Sequence, residues 1–99
     1  MGEIAAAWHS GQENTTNAFV STLWYADTFG TLSRHNHTGF CRQCLLGGSY
    51  GLLRRDNYHP NPDYYTGLLW HNIMDNAVFN VSATSPKFSA DAMPLRSYA

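Results

Sequence analysis

An α/β fold is predicted from three features of the sequence. Two stretches carry apolar residues at helical spacing, a compact apolar run lies between them, and short strand-like stretches follow the second. The order helix, strand, helix, strands is what a slice of a (β/α) barrel would produce. A complete barrel takes about 250 residues, and this chain has 99. A slice of that kind is expected to leave strand edges open that the whole barrel would pair.

Each element has its own signal. Residues Met1 to Ala5 read as the end of a strand. The first helix is expected from Asn14 or Thr15, either of which can cap free backbone N–H groups. Phe19, Leu23, Ala26 and Gly30, widened by Val20 and Trp24, form its expected apolar stripe. It should fade between Ser33 and Asn36, where Arg34 and His35 suit the negative end of a helix. GFCRQCLL, residues 39–46, reads as a buried strand closed by Gly47-Gly48. The second helix starts at Asn61-Pro62-Asp63: a capping residue, a proline at the first position, and a carboxylate at the positive end. Tyr65, Leu68, Leu69 and Ile73 supply its expected apolar face. Residues 77–82 and 95–98 read as two short strands around Ser85-Pro86-Lys87.

Composition narrows the function. The formal net charge is -1, and Arg54-Arg55, the only basic pair, is followed directly by Asp56, so a nucleic-acid partner is not expected. No run approaches the ~20 apolar residues that span a bilayer, and the N-terminus shows no signal-peptide pattern. Three glycosylation sequons, at Asn14, Asn36 and Asn80, point toward a secreted parent protein. Aromatic residues make up 14% of the chain, mostly as expected core, and their excess is compatible with stacking against sugars.

The candidate chemical groups are few. Cys41-Arg42-Gln43-Cys44 has the spacing of a redox dithiol or half a zinc site, but no second Cys pair completes four ligands. A reactive dithiol sits at a helix N-terminus, whereas this motif lies in a strand-like run. Buried, inert thiols are the preferred reading, and no metal or cofactor is expected. The segment Gly47-Gly48-Ser49-Tyr50-Gly51 lacks the Lys and following helix of a phosphate loop. Its glycines suit a loop with unusual backbone angles, and equally a close approach of ligand to backbone N–H groups. Of the carboxylates, Asp63 reads as a helix-start charge, and Asp27 and Asp75 as solvated. Glu3, with no neighbouring charge, reads from its surroundings alone as a surface residue.

Taken as whole blocks, GEIAAAWHSG, NAFVSTLWYADTFGTLSRHN, FCRQCLLGGSYGLL and PNPDYYTGLLWHNIM resemble glycoside hydrolase family 79, which includes heparanase-like proteins and β-glucuronidases. The resemblance runs from residue 2 to about residue 76 and resumes at LRSYA. It implies a (β/α)8 barrel with a small β-sandwich and a retaining mechanism. Residues 1–76 would then run from the end of barrel strand 7 through helix 8, and residues 77–99 would begin the sandwich. The resemblance makes Glu3 the catalytic nucleophile, at the C-terminal end of strand 7. A retaining enzyme also needs an acid/base carboxylate about 5 Å away, which the family places upstream of this chain.

The same resemblance assigns substrate contacts. Trp8 and Ser10 fall in a loop lining the cleft, where Ala5-Ala6-Ala7-Trp8-His9 replaces the family's usual Gly-Gly-Ala-Tyr-Asn. Gln43, Gly48 and Tyr50 match positions of a glucuronate pocket, with a backbone N–H and a phenol receiving the substrate carboxylate. Cys44 departs from the usual small or polar residue there. The implied partner is a glucuronide or a glucuronic-acid-containing glycan, met in the secretory pathway or outside the cell, with a membrane-associated or vacuolar parent as the alternatives. Oligomeric state is not legible. Because the chain stops at Ala99, where family members continue, it reads as a fragment that is inactive alone, and an interaction module is the rival reading.

Overall fold

The computed structural model describes residues 2–81. Four regular elements follow one another: β1 (Glu3–Ile4), α1 (Phe19–Arg34), β2 (Cys41–Arg42) and α2 (Pro62–Ile73). The strands are parallel, with Glu3 opposite Cys41 and Ile4 opposite Arg42. Parallel neighbours need a long crossover, and α1 provides it. The result is a small α/β unit built on one β-α-β connection and backed by a second helix. It is compatible with a slice of a larger α/β domain.

β2 is shorter than the run 39–46 expected from sequence. The pairing extends from Cys41 N–H donating to Gly2 O to Gln43 N–H donating to Ile4 O, and a strand persists only as far as its neighbour offers partners. Beyond it the chain pairs with itself: Leu52 N–H donates to Cys44 O, and Leu53 N–H to Leu45 O. Residues 77–81 form no strand. Residues 82–99, which include the rest of the expected sandwich, lie outside the described residues.

α1 begins later than Asn14. Asn14 has φ 58°, incompatible with a right-handed helix. The Thr16 hydroxyl is occupied locally, donating to Gln12 O at 3.0 Å and accepting from Gln12 N–H at 2.9 Å. The helix ends where expected. Asn36, at φ 60°, donates to Ser33 O while His37 N–H donates to Leu32 O, a Schellman arrangement that satisfies the last carbonyls.

The expected apolar stripes need correction. Phe19, Val20 and Leu23 of α1 are exposed, as are Tyr65, Leu68, Leu69 and Ile73 of α2. Of the expected α1 stripe Gly30 is buried and Trp24 and Ala26 are half-buried; the other buried residues are Ser21, Thr22 and Tyr25 on α1 and Asp63 on α2. Phe29 joins the helices and the strand region: its ring centroid lies 4.4 Å from Tyr25 and 5.0 Å from both Phe40 and Trp70. Helical periodicity repeats on both faces of α1. The face carrying Tyr25 and Phe29, with large rings to desolvate and with the neighbouring Ser21 hydroxyl donating to Asp63, is the one turned inward.

Candidate active site

The β pair positions the first group of candidates. Side chains alternate along a strand, so the register places Glu3 and Cys41 on one face and Ile4 and Arg42 on the other; Gln43, one residue past β2 with its N–H donating to Ile4 O, continues the alternation onto the Glu3 face. Burial agrees: Glu3, Cys41 and Gln43 are exposed, whereas the Arg42 side chain is only 6% exposed. Glu3 and Gln43 therefore share the face turned away from the helices. Cys41 lies there too, so it is not the buried thiol expected from sequence. Cys44 is half-buried and directs its thiol to Gly47 O at 3.0 Å, and both cysteines are free. Among the described residues no three His, Cys, Asp or Glu side chains group as metal ligands.

The loops leaving the two strands meet. His9, Ser10 and Gly11 have φ of 51°, 67° and 83°, so the chain turns sharply after Trp8. Ser10 O then accepts from Ser49 N–H at 2.7 Å. Gly48, at φ 62°, lies so close that a Cβ would stand 2.8 Å from Ser10 O and 3.0 Å from Ser10 Cβ. Only glycine fits both the backbone angle and the space. A Cβ on Gly11 would likewise approach Tyr50 Cδ1 to 3.1 Å. Ser10, Gly48 and Tyr50 are thus gathered where the two loops touch. Tyr50 is 8% exposed. Trp8 stands apart, 82% exposed and edge-on to His9.

A polar cleft of about 590 Å³ opens beside this junction, lined by Glu13, Asn17, Ser49, Arg54 and Asn61 as well as Gly48. Glu13 forms part of its wall, accepting from Asn17 at 2.6 Å and from Ser49 at 3.1 Å. Glu3, Trp8, Gln43 and Tyr50 are not among its lining residues, so the assigned contacts divide between the open β face and the loop junction.

A group missed in the sequence lies behind the junction. Asp63, read as a helix-start charge, is 2% exposed and pairs with Arg42 at 2.8 Å while accepting from the Ser21 hydroxyl at 2.9 Å. Burial pushes its carboxyl above the ordinary range; the Ser21 hydrogen bond and the Arg42 charge pull it back only in part. The Arg42 guanidinium also lies 4.7 Å from the centre of the Tyr25 ring and 5.4 Å from that of Trp24. Burial raises the Tyr25 phenol as well, with Arg42 lowering it and Asp63 adding to the rise. Strand alternation held the missing signal. If Gln43 faces outward, Arg42 faces the helices, where a buried cation needs an anion.

No protein-family model matches the chain. Individual proteins do. It is 41% identical over 88 residues to heparanase-like protein 2 of Arabidopsis thaliana, covering 89% of this chain and 16% of the relative. Identity is 46% over 74 residues with heparanase-like protein 3 of the same plant, covering 75% and 14%. Baicalin-β-D-glucuronidase of Scutellaria baicalensis is 41% identical over 87 residues, covering 88% and 16%. The chain belongs with the heparanase-like proteins of glycoside hydrolase family 79. This heparanase-like chain spans about a sixth of the length of the relatives it matches. The match covers most of the chain, and the described residues include Glu3 and the Gly47–Gly51 loop.

Proposed function

We propose that this heparanase-like chain is the nucleophile-bearing segment of a retaining β-glucuronidase acting on a glucuronide or a glucuronic-acid-containing glycan. The observation that supports it best is the shared face: Glu3 and Gln43 lie together on the open side of a parallel pair, and the loops leaving both strands meet at Ser10 and Gly48. Barrel glycosidases and other barrel enzymes build their sites at this end of parallel strands.

In this reading the Glu3 carboxylate attacks the anomeric carbon as the bond to the aglycone oxygen breaks. That oxygen leaves with a proton from an acid carboxyl about 5 Å from the nucleophile. Water then attacks the glycosyl-enzyme, giving its proton to the same group and freeing Glu3. The resemblance to family 79 assigns this acid to a barrel segment upstream of this one, and no carboxylate of this chain is nominated for it. Gly48 N–H and the Tyr50 phenol receive the sugar carboxylate, Gln43 stands at the same glucuronate pocket, and Ser10 and Trp8 line the approach. The exposed sequon residues Asn14 and Asn36 fit passage of the parent protein through the secretory pathway.

The test is covalent labelling of a full-length protein carrying this chain with a glucuronate-configured epoxide inhibitor. The label is expected on Glu3, and Glu3→Gln is expected to lose both label and turnover while retaining glucuronide binding. A label on Glu13 or Asp56 would overturn the assignment.

A further inference from the structure

Three consecutive carbonyls of the loop carrying Gly48 and Tyr50 are held from behind. Tyr50 O accepts from Arg42 Nη2 at 2.8 Å, Gly51 O from Asn61 Nδ2 at 2.8 Å, and Leu52 O from Asn61 N–H at 2.8 Å. The same Arg42 nitrogen donates to Asp63 Oδ2, also at 2.8 Å. Asp63 and Asn61 sit at the start of α2, so the helix end grips the loop through one ion pair and one asparagine. Asn61 was expected to cap α2 with its side chain, but it makes no such bond and its amide N–H₂ is turned to the loop instead. Gly51 lets the loop close on itself: a Cβ there would stand 2.8 Å from Gly47 O.

The grip is poorly suited to stability alone. Among the described residues, Nε and Nη1 of Arg42 and Oδ1 of Asp63 are buried without hydrogen-bond partners. A buried ion pair with unsatisfied atoms is often no better for stability than apolar residues of similar size. What it does supply is direction, because Nη2 is shared between a carboxylate on α2 and a carbonyl of the loop.

We infer that Arg42, Asp63 and Asn61 are positioning residues that set the selectivity of the site for an acidic sugar, by holding the Gly48–Gly51 backbone at the angle that presents Gly48 N–H and Tyr50 to a carboxylate. This rests on the assignment of Gly48 and Tyr50 as the carboxylate pocket. Arg42 and Asp63 are buried behind the loop, and the Asn61 side-chain amide is spent on Gly51 O. Their effect runs through the loop, and a small displacement of a receiving group is enough to cost about a hundredfold in rate.

Two variants of a full-length protein carrying this chain test it, each assayed on an aryl glucuronide and the matched aryl glucoside, with thermal unfolding measured in parallel. Arg42→Met with Asp63→Leu removes the ion pair while filling its volume, so folding is preserved although the Tyr50 carbonyl is released. Asn61→Ala releases the Gly51 carbonyl by an independent route. For each, the ratio of kcat/KM for glucuronide over glucoside is expected to fall about tenfold or more, with the apolar pair unfolding near the wild-type temperature. A folded variant from either route with a ratio within twofold of wild type overturns the inference. Tyr50→Phe on the same two substrates separates the two levels: a lowered ratio there with unchanged ratios in both variants refutes only the positioning role, whereas an unchanged ratio in Tyr50→Phe refutes the pocket assignment beneath it.

Discussion

Gly48→Ala should be far more damaging than an alanine at an open glycine of the same chain. At Gly48 the backbone has φ 62°, and the new Cβ would stand 2.8 Å from Ser10 O. The backbone angle costs a non-glycine residue about 1–2 kcal/mol. The contact adds roughly 1–3 kcal/mol of overpacking, because Ser10 O is already held by Ser49 N–H at 2.7 Å and cannot retreat without losing that bond. The expected total is about 2–5 kcal/mol. Gly39 is the control: its Cβ would meet nothing within 4 Å, so Gly39→Ala should stay within about 0.5 kcal/mol. Denaturant unfolding of a full-length protein carrying each substitution measures both. Equal losses for Gly48→Ala and Gly39→Ala would refute the apposition of the two strand loops, and with it the geometry of the candidate pocket.

Two further outcomes are expected. Tyr50→Phe should lower kcat/KM on an aryl glucuronide about tenfold, since a hydrogen bond to a charged group contributes about 1.5–3 kcal/mol against about 1 for a neutral one. Loss on the matched glucoside should be much smaller, and equal losses would make the hydroxyl structural. Tyr25, buried and raised, should ionise above the ordinary tyrosine value of about 10. With the folded value above the unfolded one, its contribution to stability is fully present below about pH 10 and is lost as pH rises through the folded value. The phenolate absorbance of wild type minus that of Tyr25→Phe should therefore rise only above the ordinary range; a difference curve centred at or below about 10 would contradict the burial.

Residue order alone made the start of α2 and the end of α1 legible, but not the start of α1, which was expected at Asn14 or Thr15 and lies at Phe19. Asn61-Pro62-Asp63 marks the start of α2 because proline's fixed φ and its missing N–H suit the first helical turn, and α2 begins at Pro62. The end of α1 was legible between Ser33 and Asn36 for a similarly local reason, since Arg34 and His35 suit the negative end of a helix, and α1 ends at Arg34. Family membership was also legible, since whole blocks of residues carried the resemblance and the relatives bear it out. Tertiary structure decided which side of each helix is buried. Periodicity defines a face but not its partner, so Phe19, Leu23 and Leu69 were expected inward and stand exposed, while the ring of Tyr25 takes the contact. It also decided the role of Asp63. In sequence a carboxylate at the first turn of a helix is complete in itself, satisfied by the helix dipole. Only the pleat of a strand 21 residues earlier in the chain, turning Arg42 toward the helices, makes it half of a buried pair. A local signal is written in adjacent residues, but the partner across the fold is chosen when the chain closes and water leaves.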